Sequence, residues 1–207
     1  MTEHGYSAAD ITVLTMADAA RRRPGMYFGV GPGDPSLATR VLCTVVGHAF
    51  HPATKVAASH AAHVVADITA DLAFAVTDDQ ADLPTGQGMP RLGYEKSLLT
   101  PDRWSSAAAA AVSTRTSVEV WRDGRGFRQT LVGLRPVEPP RAFSAPTGAG
   151  TRVEYVLDPD FFGTASITTA LADLDIHGPD CRDAVGLGEV VVRDHRTQGG
   201  PAEYRYT

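Results

Sequence analysis

Lysine is nearly missing from this chain: Lys55 and Lys96 are the only two in 207 residues, and arginine makes up the rest of nineteen basic side chains. Twenty-four acidic residues outnumber them, for a net charge of −5. No face is obviously basic, and the one cluster, Arg21-Arg22-Arg23, is too short to be a nucleic-acid footprint. Cysteine is equally sparse. Cys43 and Cys181 lie far apart, which rules out a thiolate metal pattern and fits a reduced, cytoplasmic setting. Long hydrophobic runs are missing too. The most apolar stretch, Ala61 to Val76, carries Asp67 and Asp71 and is too short to span a bilayer, so no membrane partner is expected. The opening "MTEHGYSAAD" has neither a basic n-region nor an apolar h-region, so no secretion signal is expected.

With 43% apolar and 21% charged residues, the chain has the balance of an ordinary globular domain with a proper core. "ITVLTMADAARRRPGMYFG" reads as a short helix stopped at Pro24-Gly25. Ser36 is placed to cap a helix from Leu37 to about Phe50, with Val41, Val45 and Val46 on its apolar side. "VVADITA" and "LAFAVTD" read as strands joined by a tight turn near Ala70-Asp71, and residues 80–104 as irregular. Ala107 to Ala111 is a helix on propensity. "SVEVWRDGRGFRQTLV" is the clearest local signal, two alternating strands flanking an Asp123-Gly124 hairpin turn. "GTRVEYVLDP" predicts a further strand, "SITTALADLDI" a helix, and "GEVVVRDH" with "AEYRYT" a final pair of strands. The mixture predicts an α/β two-layer sandwich: one mixed, mostly antiparallel sheet with helices on one face. No internal repeat or boundary divides residues 1–207, and a single domain is expected.

Four stretches together resemble one family. "YSAADITVLTMADAARRRPGMYFG" resembles the N-terminal arm and first helix of the ATPase domain of the DNA gyrase B subunit. "VTDDQADLPTG" resembles that family's Asp-Asp-Gly-Arg-Gly-Ile-Pro motif, "SVEVWRDGRGFRQ" its central hairpin, and "TGAGTRVEYVLDPDFF" the later strand that carries a Gly-Thr. The resemblance implies the GHKL (Bergerat-type) fold, with ATP between helices and sheet and residues 1–15 as an arm. It ends where the family's first subdomain ends. The transducer and toprim parts have no counterpart here, so no topoisomerase activity is expected of these residues.

The same resemblance implies lost chemistry. The family's second helix carries a Glu that activates water and an Asn that binds Mg²⁺; "TVVGHAFHPA" puts Thr44 and His48 at those places. Threonine is no general base at neutral pH, and imidazole is a poor ligand for Mg²⁺. The family's phosphate-wrapping glycine loop is replaced by "LLTPDRWSSAAAAA", with no glycine between Gly93 and Gly124. Arg103 and Trp104 stand where close backbone approach is needed. Gln80, Ala81 and Asp82 replace the motif's Gly, Arg and Gly, and Pro52 replaces the Glu that pairs with that Arg. ATP hydrolysis is therefore not expected, nor any cofactor.

The base-recognition end is expected to survive. Asp78 matches the Asp that accepts from the adenine amino group, and Thr151 the Thr that supports it. Arg122 and Pro84 match the outer edge of the pocket, and Tyr6 the arm tyrosine that reaches into a second copy, implying a homodimer through the arm. Asp79 is a further carboxylate beside Asp78, and Trp104 is either a lid or a core residue.

For His48 and His51 the plain reading is space-filling; the sharper one is acid–base chemistry beside Asp78 or Asp79. A metal reading that adds His60 and His63 lacks a completing thiolate or carboxylate, and no metal is expected. Asp78 has its own plain alternative, an Asx-turn after a strand. Two functions follow. One is a metal-free, ATP-independent cyclase, isomerase or lyase of secondary metabolism, acting on a small organic substrate through His48, His51 or Asp78. The arginine-rich, lysine-poor composition suggests a GC-rich genome and that setting. The other is a non-catalytic module that binds a small molecule or regulates gyrase.

Overall fold

The computed structural model describes residues 14–50, 63–81, 83, 88–169 and 188–206. Pro52, His51, Asp82, Pro84, Tyr6, His60, Cys181 and all of "SITTALADLDI" beyond Thr169 lie outside the described residues.

Thr15 caps the first helix, α1 (Met16–Arg22), by accepting from the Asp18 amide at 3.1 Å. Pro24 ends that helix as expected, but its fixed φ also starts a second turn, α2 (Gly25–Phe28). The long helix α3 spans Leu37–Phe50 and buries Leu37, Ala38, Val41, Leu42, Val45, Val46 and Ala49. Ser36 before it donates its hydroxyl to the Asp34 carboxylate at 2.6 Å.

The strands form one sheet. β1 (His63–Ala70), β2 (Ala73–Asp78), β3 (Ser113–Arg122), β4 (Arg125–Val132), β7 (Ala149–Leu157), β8 (Glu189–Asp194) and β9 (Ala202–Tyr206) answer to the sequence expectations. Two short strands, β5 (Arg135–Pro136) and β6 (Arg141–Ser144), extend beyond β4; four residues or fewer leave too little alternation to see in advance. The strand order is β5-β4-β3-β7-β2-β1-β8-β9, with β6 also on β4. All pairs are antiparallel except β1 with β8. The hairpin between β3 and β4 turns through Asp123 and Gly124, whose φ of 51° and 81° are those an Asp-Gly pair tolerates.

Alternation along each strand separates two faces. Val64, Ala66 and Ile68, Phe74 and Val76, Val118 and Val120, and Val153 and Tyr155 face the helices and are buried. Phe74 and Tyr155, opposite each other in register, stack at 4.8 Å. The fourth helix, α4 (Trp104–Ala111), lies on this face with five buried alanines, small enough for the helix to sit close to the strands. The opposite face presents Asp67, Thr77, Arg152 and Glu154. This is the expected α/β sandwich. No described helix is long and apolar enough to cross a membrane.

Candidate functional site

The sequence candidates converge where β2 leaves the sheet. Strand alternation turns Asp78, the last residue of β2, toward the helices, directly beside Thr151 of β7. A carboxylate buried there without a partner would be costly, and the chain supplies one. Arg103 donates from Nη1 to Asp78 Oδ2 at 2.7 Å and from Nη2 to Oδ1 at 2.9 Å. The two side chains are only 7% and 2% exposed. Arg103 Nη2 also donates to the Gln80 carbonyl at 3.1 Å. Sequence reasoning set Arg103 at the old phosphate end; its guanidinium instead reaches the carboxylate expected to read the base.

The Asx-turn weighed for Asp78 is present as well, since the Gln80 amide donates to Asp78 Oδ1 at 3.0 Å. Thr151, fully buried, donates its hydroxyl to the Gln80 carbonyl at 2.6 Å. Arg122, at the end of β3, donates to the Ala81 carbonyl at 2.7 Å. Gln80 turns its side-chain amide onto the Asp79 carboxylate. So Asp78, Thr151 and Arg122 are brought together as expected, but their polar groups clasp the chain's own residues 78–81.

Arg103 is held by a stiff support. It ends a 3₁₀ turn, Pro101–Arg103, that runs into α4. Before it, residues 93–100 fold into a closed loop. The Gly93 amide donates to the Ser97 carbonyl at 2.8 Å, and the Tyr94 amide to the Leu99 carbonyl at 2.9 Å. Leu98 donates its amide to Gln129 Oε1 of β4 at 2.9 Å. A Cβ on Gly93 would lie 2.1 Å from the Leu99 carbonyl oxygen, so only glycine lets the loop close this tightly. Ser97, Leu98, Leu99 and Thr100 are buried. The segment that replaces the family's glycine-rich loop thus begins in a packed, hydrogen-bonded turn.

Helix α3 lines the same region. Thr44 commits its hydroxyl to the Arg40 carbonyl one turn back, at 2.8 Å. His48 is 6% exposed, its ring edge-on to Trp104 at 5.0 Å and 84°. Burial, then the nearby Arg103 charge, pull its pKa down to about 4, against a smaller opposing pull from Asp102. Its imidazole is therefore uncharged at neutral pH and a weak base. This pKa lends no support to the expectation of a histidine poised for proton transfer near neutrality. Trp104, 39% exposed, covers His48 and also approaches Tyr27 at 6.5 Å, which makes it a partial lid over the ring. His63 opens β1 at the surface, and no cluster of metal-ligating side chains occurs among the described residues.

The residue that sequence reasoning undervalued is Arg103. A signal was present: it is the one cation between Lys96 and Arg115, in a segment mostly of small and apolar residues apart from Asp102 and Trp104. A guanidinium carried into such packing needs a buried carboxylate.

No protein-family model matches the chain. Similar proteins are the novobiocin-sensitive DNA gyrase B protein of Streptomyces niveus, 30% identical over 180 residues (77% of this chain, 25% of that protein), and the DNA topoisomerase 4 B protein of Caulobacter vibrioides, 27% identical over 178 residues (76% and 25%). The DNA gyrase B protein of Enterococcus faecalis is 26% identical over 227 residues, covering 97% of this chain and 34% of that protein. The chain spans about a quarter to a third of the length of these relatives. With the mixed sheet and its one helical face, these likenesses make the chain a gyrase-B-like domain of the GHKL fold.

Proposed function

We propose that this gyrase-B-like domain works without turning over ATP, as a binding module for a small organic ligand rather than as an enzyme. The observation that carries the reading is the ion pair of Arg103 with Asp78. The carboxylate that the resemblance assigns to base recognition already has both oxygens engaged by the chain itself. The hydrolytic positions agree. Thr44 is bonded within its helix, and His48 is neutral and covered by Trp104. Neither offers the basic group, within reach of a water, that hydrolysis requires.

The reading of the cleft as a cyclase, isomerase or lyase needs His48 or Asp78 to exchange protons near neutral pH. A buried imidazole with a pKa of about 4 is a poor candidate, and both Asp78 oxygens are already taken up by Arg103. The binding module, within the cytoplasm and with regulation of a gyrase-type partner as its setting, asks for no such step.

Steady-state phosphate release with ATP and Mg²⁺, alongside calorimetric titration with ATP, ADP and adenosine, tests the proposal. No release above buffer and no saturable heat are expected. Magnesium-dependent phosphate release that is lost in His48→Ala or Asp78→Asn protein would overturn it.

A further inference from the structure

One end of α4 is closed by the Arg103–Asp78 pair, but its other end opens onto a cavity of about 500 Å³. About 12 Å of helix separates the two places. Small-molecule sites run from about 300 to 1,000 Å³. The walls come from α1, the 3₁₀ turn Tyr94–Lys96, the junction of α4 with β3, and the turn from β4 to β5. Ala17, Ala111 and Leu134 supply apolar wall, as does Val132, which is 59% exposed. Arg21 stiffens one side: it donates to the Ala111 carbonyl at 3.1 Å, pairs with Asp158 and lies over the Phe161 ring at 5.1 Å. Asp18 accepts from the Thr15 hydroxyl at 2.8 Å. Glu95 and Arg135 differ from these. Both line the cavity on elements that pack together, yet neither side chain has a hydrogen bond or ion pair among the described residues. The Arg135 charge is felt across the cavity at Asp18, whose carboxyl is held below its usual range chiefly by the Thr15 hydroxyl. The turn that carries Glu95 is strained as well. Glu95 and Lys96 have φ of 50° and 66°, values that suit glycine, although both side chains are exposed and bury nothing. Such strain, kept under an unpaired side chain at a cavity, points to a use for that side chain.

We propose that this cavity binds a free aliphatic α-amino acid, with Glu95 taking its ammonium, Arg135 its carboxylate and the apolar wall its side chain. The inference rests on the binding-module reading and supplies that reading with a site and a ligand class. Two opposite charges that line one cavity without pairing are both met by a zwitterion. An amine or a fatty acid leaves one of them unmet. The guanidinium of Arg135 offers a carboxylate two parallel N–H donors, and the carboxylate of Glu95 accepts from an ammonium. The carboxylates on the wall do not gather as metal ligands would. Mostly apolar wall with a few placed charges is the usual make-up of a small-molecule site.

Calorimetric titration of the whole chain with L-leucine, L-valine and L-methionine tests the site. Saturable heat is expected from at least one of them by about 10 mM. For L-leucine, isoamylamine lacks the carboxylate and isocaproate the ammonium, and each should bind at least about tenfold more weakly. Glu95→Gln and Arg135→Gln should each weaken amino-acid binding at least about tenfold. Both side chains are exposed, so neither change threatens folding. Glu95→Gly, which relieves the positive φ, should lose binding while its urea midpoint holds or rises. No saturable heat from any of the three amino acids by about 10 mM would overturn the proposal. Equal affinity for L-leucine and its two analogues would overturn it too, as would binding that survives both Glu95→Gln and Arg135→Gln. The two readings fail separately: phosphate release from ATP overturns the binding module, and absent amino-acid binding overturns only this site.

Discussion

Two aspartate–arginine pairs sit on opposite faces of one sheet, on neighbouring strands, and they do different work. On the helical face Asp78 of β2 meets Arg103 through both oxygens, with side chains 2% and 7% exposed. On the open face Asp67 of β1 shares itself between Arg152 at 3.0 Å and His195 at 2.9 Å, and those two partners are 30% and 40% exposed. Arg152 in turn also reaches Thr77 and Glu154. For Asp67, partial burial would push the carboxyl up; the hydrogen bonds from His195 and Arg152 outweigh it and leave its pKa lowered. The same two residue types thus make a sealed one-to-one lock on one side and a wet, branched network on the other. Burial sets the difference: inside, neither charge has water to fall back on.

Removing one partner should separate the pairs most clearly. Arg103→Ala leaves an uncompensated buried carboxylate and is expected to lower unfolding stability by about 3–5 kcal/mol, read from urea denaturation. A loss no larger than that of an ordinary surface substitution would mean water reaches Asp78 freely.

The next effect is pH-dependent and also belongs to the helical face. His48 has a folded pKa of about 4 against an ordinary 6.5, so the unfolded chain binds the proton that the folded chain refuses. Stability from this group is complete above 6.5 and is lost as pH falls toward 4, on the order of 3 kcal/mol in total. Denaturation midpoints between pH 6.5 and pH 5 should fall in wild-type protein and flatten in His48→Gln. An unchanged slope in that variant would place the imidazole in water.

The smallest effect is on the open face. Arg152→Ala should cost about 1 kcal/mol or less, and the cost should shrink further in high salt, because Asp67 keeps His195 and solvent. A salt-independent loss as large as that of Arg103→Ala would erase the contrast between faces.

How far the sequence anticipated this follows the same division. Strand alternation and the Asp123-Gly124 turn announce the sheet, because a two-residue period and a positive-φ pair are local facts. Helix α3 over Leu37–Phe50 follows the apolar spacing of Val41, Val45 and Val46. β5 and β6 escaped because so few residues carry no period. Asp78, Thr151 and Arg122 were legible as neighbours through the resemblance alone, and the register of β2 with β7 sets Asp78 beside Thr151. What they bond to was not, since Arg103 is 25 residues from Asp78 in the chain and arrives on a loop whose closure depends on Gly93. The depressed pKa of His48 was equally hidden, because it comes from burial, with Trp104 packed on the ring, and from a guanidinium far along the chain but near in space.

The measurement that bears most directly on the account is a pair of double-mutant cycles, Asp78 with Arg103 and Asp67 with Arg152, each run to uncharged residues of similar size. The account predicts a coupling of about 3 kcal/mol or more for the first pair and below about 1 kcal/mol for the second. A first coupling near zero would contradict it, for Arg103 would then not be the occupant of that carboxylate.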